Sequence, residues 1–141
     1  MSFDAADRSA VAQFVRTCGA GVVASVGSDA EPQAAFVGLT ATDDGLLVLD
    51  ALESSRKVAN IRARPRVAIV VTDADVTVQL EGRARVSVAD ERRRLGEAYS
   101  ARFPGSRALA DGFAVIAVEV HWVRVYDAGA HPQRVTEAAW A

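Results

Sequence analysis

VTVQLEGRARVSV, residues 76–88, alternates apolar and polar side chains with a period of two. Val76, Val78, Leu80, Ala84, Val86 and Val88 fall on one face, with Gly82 in register. Thr77, Gln79, Glu81, Arg83, Arg85 and Ser87 fall on the other. Such a pattern reads as a long strand with one face in a core and the other in water or turned toward a polar site. Gly82 inside it predicts a bend.

Working outward, TDAD is a turn and RVAIVV (66–71) a preceding strand, antiparallel to the first by the shortness of the link. Upstream of it, SSRKVANIRARP reads as a short helix with Val58 and Ile61 as its apolar face. Ser54 or Ser55 is the N-cap, and Pro65 ends it. LLVLD (46–50), apolar on both faces, is a central strand. GVVASV (21–26) and QAAFVGL (33–39) are two more, separated by GSDAEP and followed by the turn ATDDG, whose Asp-Gly pair is a hairpin signal. Residues 4–17 predict an opening helix: Phe3, Ala6, Ala10, Phe14 and Cys18 recur at helical spacing, with Val11 and Val15 beside them. Ser2 or Asp4 caps it, and Gly19 and Gly21 stop it.

Downstream, ADERRRLGEAYSARF predicts a helix capped by Asp90, with Leu95, Ala98, Tyr99 and Phe103 on one side. PGSRALADG is a loop, and FAVIAVEVHWVRVYD (113–127) is the last long strand. Residues 128–141 have little periodicity and receive no structure. Six strands, the first of them linked by tight turns, with a half-wet long member and no βαβ repeat, predict a mainly β fold: an antiparallel barrel, closed or nearly closed, with flanking helices.

The totals set bounds on function. A chain of 141 residues corresponds to one domain, 1–141, and removes roughly 68% of its unfolded surface from water. Net charge is −2 and the pI about 5.7, which argues against a general nucleic-acid binder. The one cysteine, Cys18, excludes an intrachain disulfide; it ends an apolar helix face and reads as buried and inert. No apolar run reaches the ~18 residues of a membrane span, and no basic stretch followed by an apolar run opens the chain. The expectation is a cytoplasmic protein that acts on neither membrane nor nucleic acid.

Lys57 is the only lysine; the other fifteen of the sixteen Lys and Arg residues are arginine. It follows Arg56 in the first turn of the predicted helix, where N–H groups are free and the dipole is positive. Two cations there are met either by solvation or by an anion. The helix-dipole penalty, well under ~1 kcal/mol each, is small enough for solvation to suffice. Two hydroxyls, two cations and open amides also make a phosphate cradle. Arg62, Arg64 and Arg66 extend a positive rim nearby, whereas Arg92, Arg93 and Arg94, with Asp90, Glu91 and Glu97 close by, read as a solvated face.

With only His121 and His131 as histidines, and one cysteine, no metal site is expected. His121 reads as a strand residue, with haem ligation as the alternative. Trp122, Arg124 and Tyr126 share one face of the last strand and suit either a cofactor groove or a subunit interface. No Ser-His-Asp set, P-loop or paired-carboxylate spacing is present.

Together GVVASVGSDAEPQAAFVGL, DDGLLVLDALESSRKVANIRARPRVAIVV, TVQLEGRARV and FAVIAVEVHWVRVYD resemble the FMN-binding proteins related to pyridoxamine 5′-phosphate oxidase, over residues 10–127. SRK-x-x-N-I-x-x-x-P carries most of the specificity. The resemblance implies a six-stranded antiparallel split β-barrel of Greek-key order, a homodimer with an FMN in each interface groove, and a flavin-dependent oxidoreductase of unknown small-molecule substrate. The alternative is a non-catalytic module binding flavin, deazaflavin or haem. By the same resemblance Arg56 and Lys57 contact the phosphate with Ser55 close by, and Asp50, Ala51 and Leu52 border the flavin through backbone groups. Thr77 stands where the oxidase has a flavin-contacting glutamine, a role Gln79 or Glu81 could take. The chain also departs from the oxidases: Ala35 and Thr40 replace an arginine and a lysine, Asp50 or Ala51 replaces a threonine, and the C-terminal Arg-x-His motif is missing. Oxidation of pyridoxamine phosphate is therefore not implied.

Overall fold

The structure, a computed structural model, describes residues 2–141. In chain order it comprises α1 (Arg8–Cys18), β1 (Ala20–Val26), β2 (Pro32–Gly38), β3 (Thr40–Ala41), β4 (Leu47–Leu52), α2 (Arg56–Ala63), β5 (Arg66–Asp73), β6 (Val76–Val86), α3 (Ala89–Arg102), β7 (Phe113–Asp127) and β8 (Arg134–Ala139). The alternating stretch is β6: Val76, Val78, Leu80, Gly82 and Ala84 are buried, and Glu81 and Arg83 are exposed.

Every strand pairing is antiparallel, in the order β2-β1-β5-β6-β7-β4-β3. β2 and β3 are nearly one strand, interrupted at Leu39. The first part pairs with β1 and the last part with β4. The two ends of the sheet are thus the same stretch of chain, and the sheet curls into a mainly β split barrel with three helices around it. Leu39, Leu47, Leu49, Ile69, Leu80 and Ile116 fill its interior and are almost completely buried. Each such side chain contributes about 1.5–3 kcal/mol by leaving water.

Two strands are apolar on both faces because both are covered. Leu47 and Leu49 of β4, and Ala114, Ile116 and Val118 of β7, point into the barrel. Val48, Val115 and Ala117 point outward, under Leu95 and Tyr99 of α3.

The six expected barrel strands are present, with β2 and β3 counted as one, but the segments number eight because the tail is a strand. β4 covers β7 only as far as Val118, which leaves the edge of Trp122–Asp127 open. β8 fills that edge. Trp140 follows it into the core, donating from its indole Nε1 to the Ala5 carbonyl at 2.9 Å. The opening helix begins later than expected: Asp7 is its N-cap, accepting from Ala10 N at 3.1 Å, while Asp4 caps the turn before it. In α3, Val88 and not Asp90 occupies the N-cap position. Ala98 is exposed, and Gly96 is the buried residue on that face, against Leu109.

The bend predicted at Gly82 is a bulge. Glu81 pairs with Trp122 and Gly82 with Val120, so His121 is the extra residue on β7. A Cβ on Gly82 would lie 2.0 Å from the Glu119 carbonyl oxygen, an approach only glycine permits.

Candidate functional site

α2 links β4 to β5 across one end of the barrel, burying Val58, Asn60 and Ile61. Of the two candidate serines, Ser55 is the N-cap: its backbone is extended, and its Oγ accepts from Val58 N at 3.4 Å. That leaves the N–H groups of Arg56 and Lys57 without an intrahelical acceptor. The first turn holds no acidic residue. The nearest carboxylate in sequence, Glu53, is engaged by Arg62 on the helix's last turn. Among the described residues, neither Arg56 nor Lys57 forms an ion pair or a side-chain hydrogen bond.

Ser55, Arg56 and Lys57 line one cavity of about 180 Å³ with Val23, Ser25, Gln33, Ala34 and Ala35. Behind it lies a polar network that the sequence reading did not anticipate. Asn60 Nδ2 donates to Ser25 Oγ at 3.1 Å and to Gln33 Oε1 at 2.8 Å. Asn60 and Ser25 are buried, so these bonds are made out of water. The signal available in sequence was a lone Asn at a buried helical position, three residues after Lys57.

The other predicted residues stand elsewhere on the chain. Asp50 is half-buried beneath α3 beside Tyr99. Burial, with the Asp50 carboxylate next to it, pushes the Tyr99 hydroxyl well above its ordinary pKa. Ala51 points into the core, and Leu52 is exposed opposite Phe113. Thr77, with its Oγ 3.2 Å from that of Thr72, and Gln79, between Val70 and Arg124, are on the outer sheet face. Arg62 is paired with Glu53, and Arg64 donates to the Val26 carbonyl at 2.8 Å.

The outer face carries a cross-strand row running Phe36, Val22, Val70, Gln79, Arg124. Phe36 is 77% exposed, and Val22 and Val70 are each 40% exposed. Trp122, Arg124 and Tyr126 are half-buried on this face; Arg124 pairs with Glu137 of β8 at 3.2 Å. His121 is exposed at the bulge. Cys18 is half-buried, and desolvation first, then Asp73, raises its thiol pKa.

Residues 8–127 match the family model described as pyridoxamine 5′-phosphate oxidase. The chain belongs to that family. A search of curated proteins found no match. Solved structures share the fold. A haem-binding protein from Mycobacterium smegmatis superposes with a TM-score of 0.78 at 22% identity, over 99% of this chain and 59% of that one. A conserved hypothetical protein from Mycobacterium tuberculosis gives 0.74 at 23% identity, over 89% and 90%. A pyridoxamine 5′-phosphate oxidase-related, FMN-binding protein from Nostoc punctiforme gives 0.72 at 15% identity, over 97% of each chain.

Within this family the two second-strand departures have different surroundings. Ala35 lines the cavity at the start of α2. Thr40 is buried in the short strand paired with β4, opposite Val48.

Proposed function

We propose that the chain binds FMN by its phosphate at the start of α2 and acts as a flavin-dependent oxidoreductase on a small-molecule substrate. One observation carries the reading. Two adjacent cations, with open backbone N–H groups beside them, line a cavity and have no carboxylate partner among the described residues. Such a set matches a dianionic phosphate in charge and in donors. The resemblance to FMN-binding members of the family supports flavin as the ligand, as does the Nostoc punctiforme neighbour described as FMN-binding.

When bound, the flavin supplies the electron-transfer chemistry, and the protein binds and orients it. Arg56 and Lys57 neutralise the phosphate, and the α2 amides give it direction.

A cavity of about 180 Å³ admits the phosphate end and not a tricyclic ring, since pockets for whole ligands of that size run to about 300–1,000 Å³. The ring needs a second wall. We propose a homodimer in which a second copy covers the exposed Phe36–Val22–Val70 row. Thr77 and Gln79 lie on that same face and would then reach the cofactor groove from the interface.

The test is to incubate purified protein with excess FMN, remove free ligand and record the visible spectrum. About one retained flavin per chain, falling sharply in Lys57→Ala, is the expected result. Subsequent oxidation of reduced nicotinamide would separate an enzyme from a storage or sensing module. A protein left colourless by FMN but coloured by haem would overturn the flavin reading in favour of a haem-binding one.

A further inference from the structure

We propose that Ser25, held by Asn60, is a phosphate-binding donor of this site and stands in for the cation missing at Ala35. The inference rests on the flavin-phosphate reading above and narrows it to a ligand whose end group is an anionic acceptor with no hydrogen of its own to place: a phosphate monoester in preference to its dephosphorylated alcohol.

The argument is one of hydrogen accounting. Ser25 and Gln33 are direct cross-strand partners on β1 and β2, and both face the cavity. Asn60 is one helical turn beyond Lys57, on the buried side of α2. An amide nitrogen has two hydrogens and no acceptor capacity. Asn60 Nδ2 spends one on Ser25 Oγ, at 3.1 Å, and the other on Gln33 Oε1, at 2.8 Å. With the amides oriented this way, Ser25 Oγ accepts from Asn60, and its own hydrogen is free for a further acceptor. Among the described residues it donates to nothing. Ser25 is only 4% exposed, so bulk water is a poor alternative.

A buried hydroxyl with an unspent hydrogen, lining a cavity whose mouth carries two unpaired cations, asks for an anionic acceptor. A phosphate oxygen meets that demand, and a ribityl hydroxyl without the phosphate meets none of the charge. The asparagine is the positioning residue. It also ties β1 and β2 to α2, so the hydroxyl and the two cations keep a fixed spacing. This gives a physical reason for the Asn in SRK-x-x-N-I, which a helix of this length does not need for its own stability.

The experiment measures binding of FMN and of riboflavin to the full chain, for wild type, Ser25→Ala, Ser25→Thr and Lys57→Ala, with thermal midpoints as a check of folding. The expected result is that wild type prefers FMN. Ser25→Ala should lose roughly tenfold or more of that preference with riboflavin affinity unchanged, and Ser25→Thr, which keeps the hydroxyl, should retain it. Equal weakening toward both ligands in Ser25→Ala, or no change toward either, would overturn the proposal and leave Ser25 a structural residue. A folded Ser25→Thr that loses the preference would count against it equally. If Lys57→Ala loses the preference while Ser25→Ala keeps it, the phosphate cradle stands and this inference fails. If wild type binds both ligands alike, the phosphate reading fails and the inference with it.

Discussion

Two helices of this molecule carry adjacent basic residues, and their surroundings differ in kind. α3 has Asp90 and Glu91 in its first turn, and two of the three arginines in its basic run, Arg92 and Arg93, are engaged. Arg93 pairs with Asp90 at 3.2 Å, and Arg92 reaches the Phe113 carbonyl at 3.2 Å. Glu91 takes both nitrogens of a fork from Arg85 of β6, at 2.6 and 3.0 Å. α2 has no acid in its first turn, and Arg56 and Lys57 face a cavity instead. Charge alone does not distinguish the two. Their partners do: two of the three arginines of one run are held by the protein itself, and the pair on α2 is left open at a place where the backbone also offers free donors.

The contrast can be broken most severely at α2. Replacing both Arg56 and Lys57 by Ala should lower FMN affinity on the order of 100-fold, as expected for two lost charge-assisted contacts. The thermal midpoint should hold or rise slightly, because cations in a first turn oppose the helix dipole. Titration of FMN against both proteins, with melting curves alongside, checks both halves. A large drop in stability would make these residues structural, like those of α3.

The converse change is Arg92→Ala. The sequence suggests a solvated side chain, but it is half-buried and ties α3 to the loop before β7. Its loss should cost about 1–2 kcal/mol in denaturant unfolding, the range of a hydrogen bond to a charged group, and leave flavin affinity unchanged.

The smallest effect concerns Glu91. The bidentate contact with Arg85, then its charge, holds the Glu91 carboxyl below the usual range. A depressed folded pKa contributes stability above the unfolded value, near 4.5, and that contribution is lost as pH falls through the folded pKa. Glu91→Gln should therefore be less stable than wild type at neutral pH, by less than about 1 kcal/mol because both partners are partly exposed. The gap should close below about pH 4. Melting curves across pH check it; a gap that persists at low pH would deny the ionic origin.

How much of this was legible depended on whether the signal was local. Residues 76–86 gave their strand, core face and bend, because alternation and a glycine are properties of neighbours in the chain; the strand stops at Val86, and beyond it the expected faces are reversed, with Ser87 buried and Val88 exposed. Ser55–Lys57 was legible as a basic helix start for the same reason. β8 was not. It is an edge strand whose inward side chains, Thr136 and Ala138, are small, and it forms because β7 is longer than β4 and leaves an edge to be paired. The Ser25–Asn60–Gln33 network was not legible either, since its members lie 35 and 27 residues apart and meet only once the barrel closes. Asp50 shows the same limit: its place beneath Tyr99 follows from the packing of α3 over β4, which no residue near Asp50 announces.

The central claim is that a phosphate sits against Arg56 and Lys57. The most direct measurement is the phosphorus NMR signal of FMN bound to the intact chain, followed with pH. Two cations and the helix amides favour the dianion, so the account predicts that the bound phosphate titrates clearly below the ordinary second pKa of about 6, and that Lys57→Ala moves it back upward. A bound flavin whose phosphate titrates as it does in free solution would contradict the account.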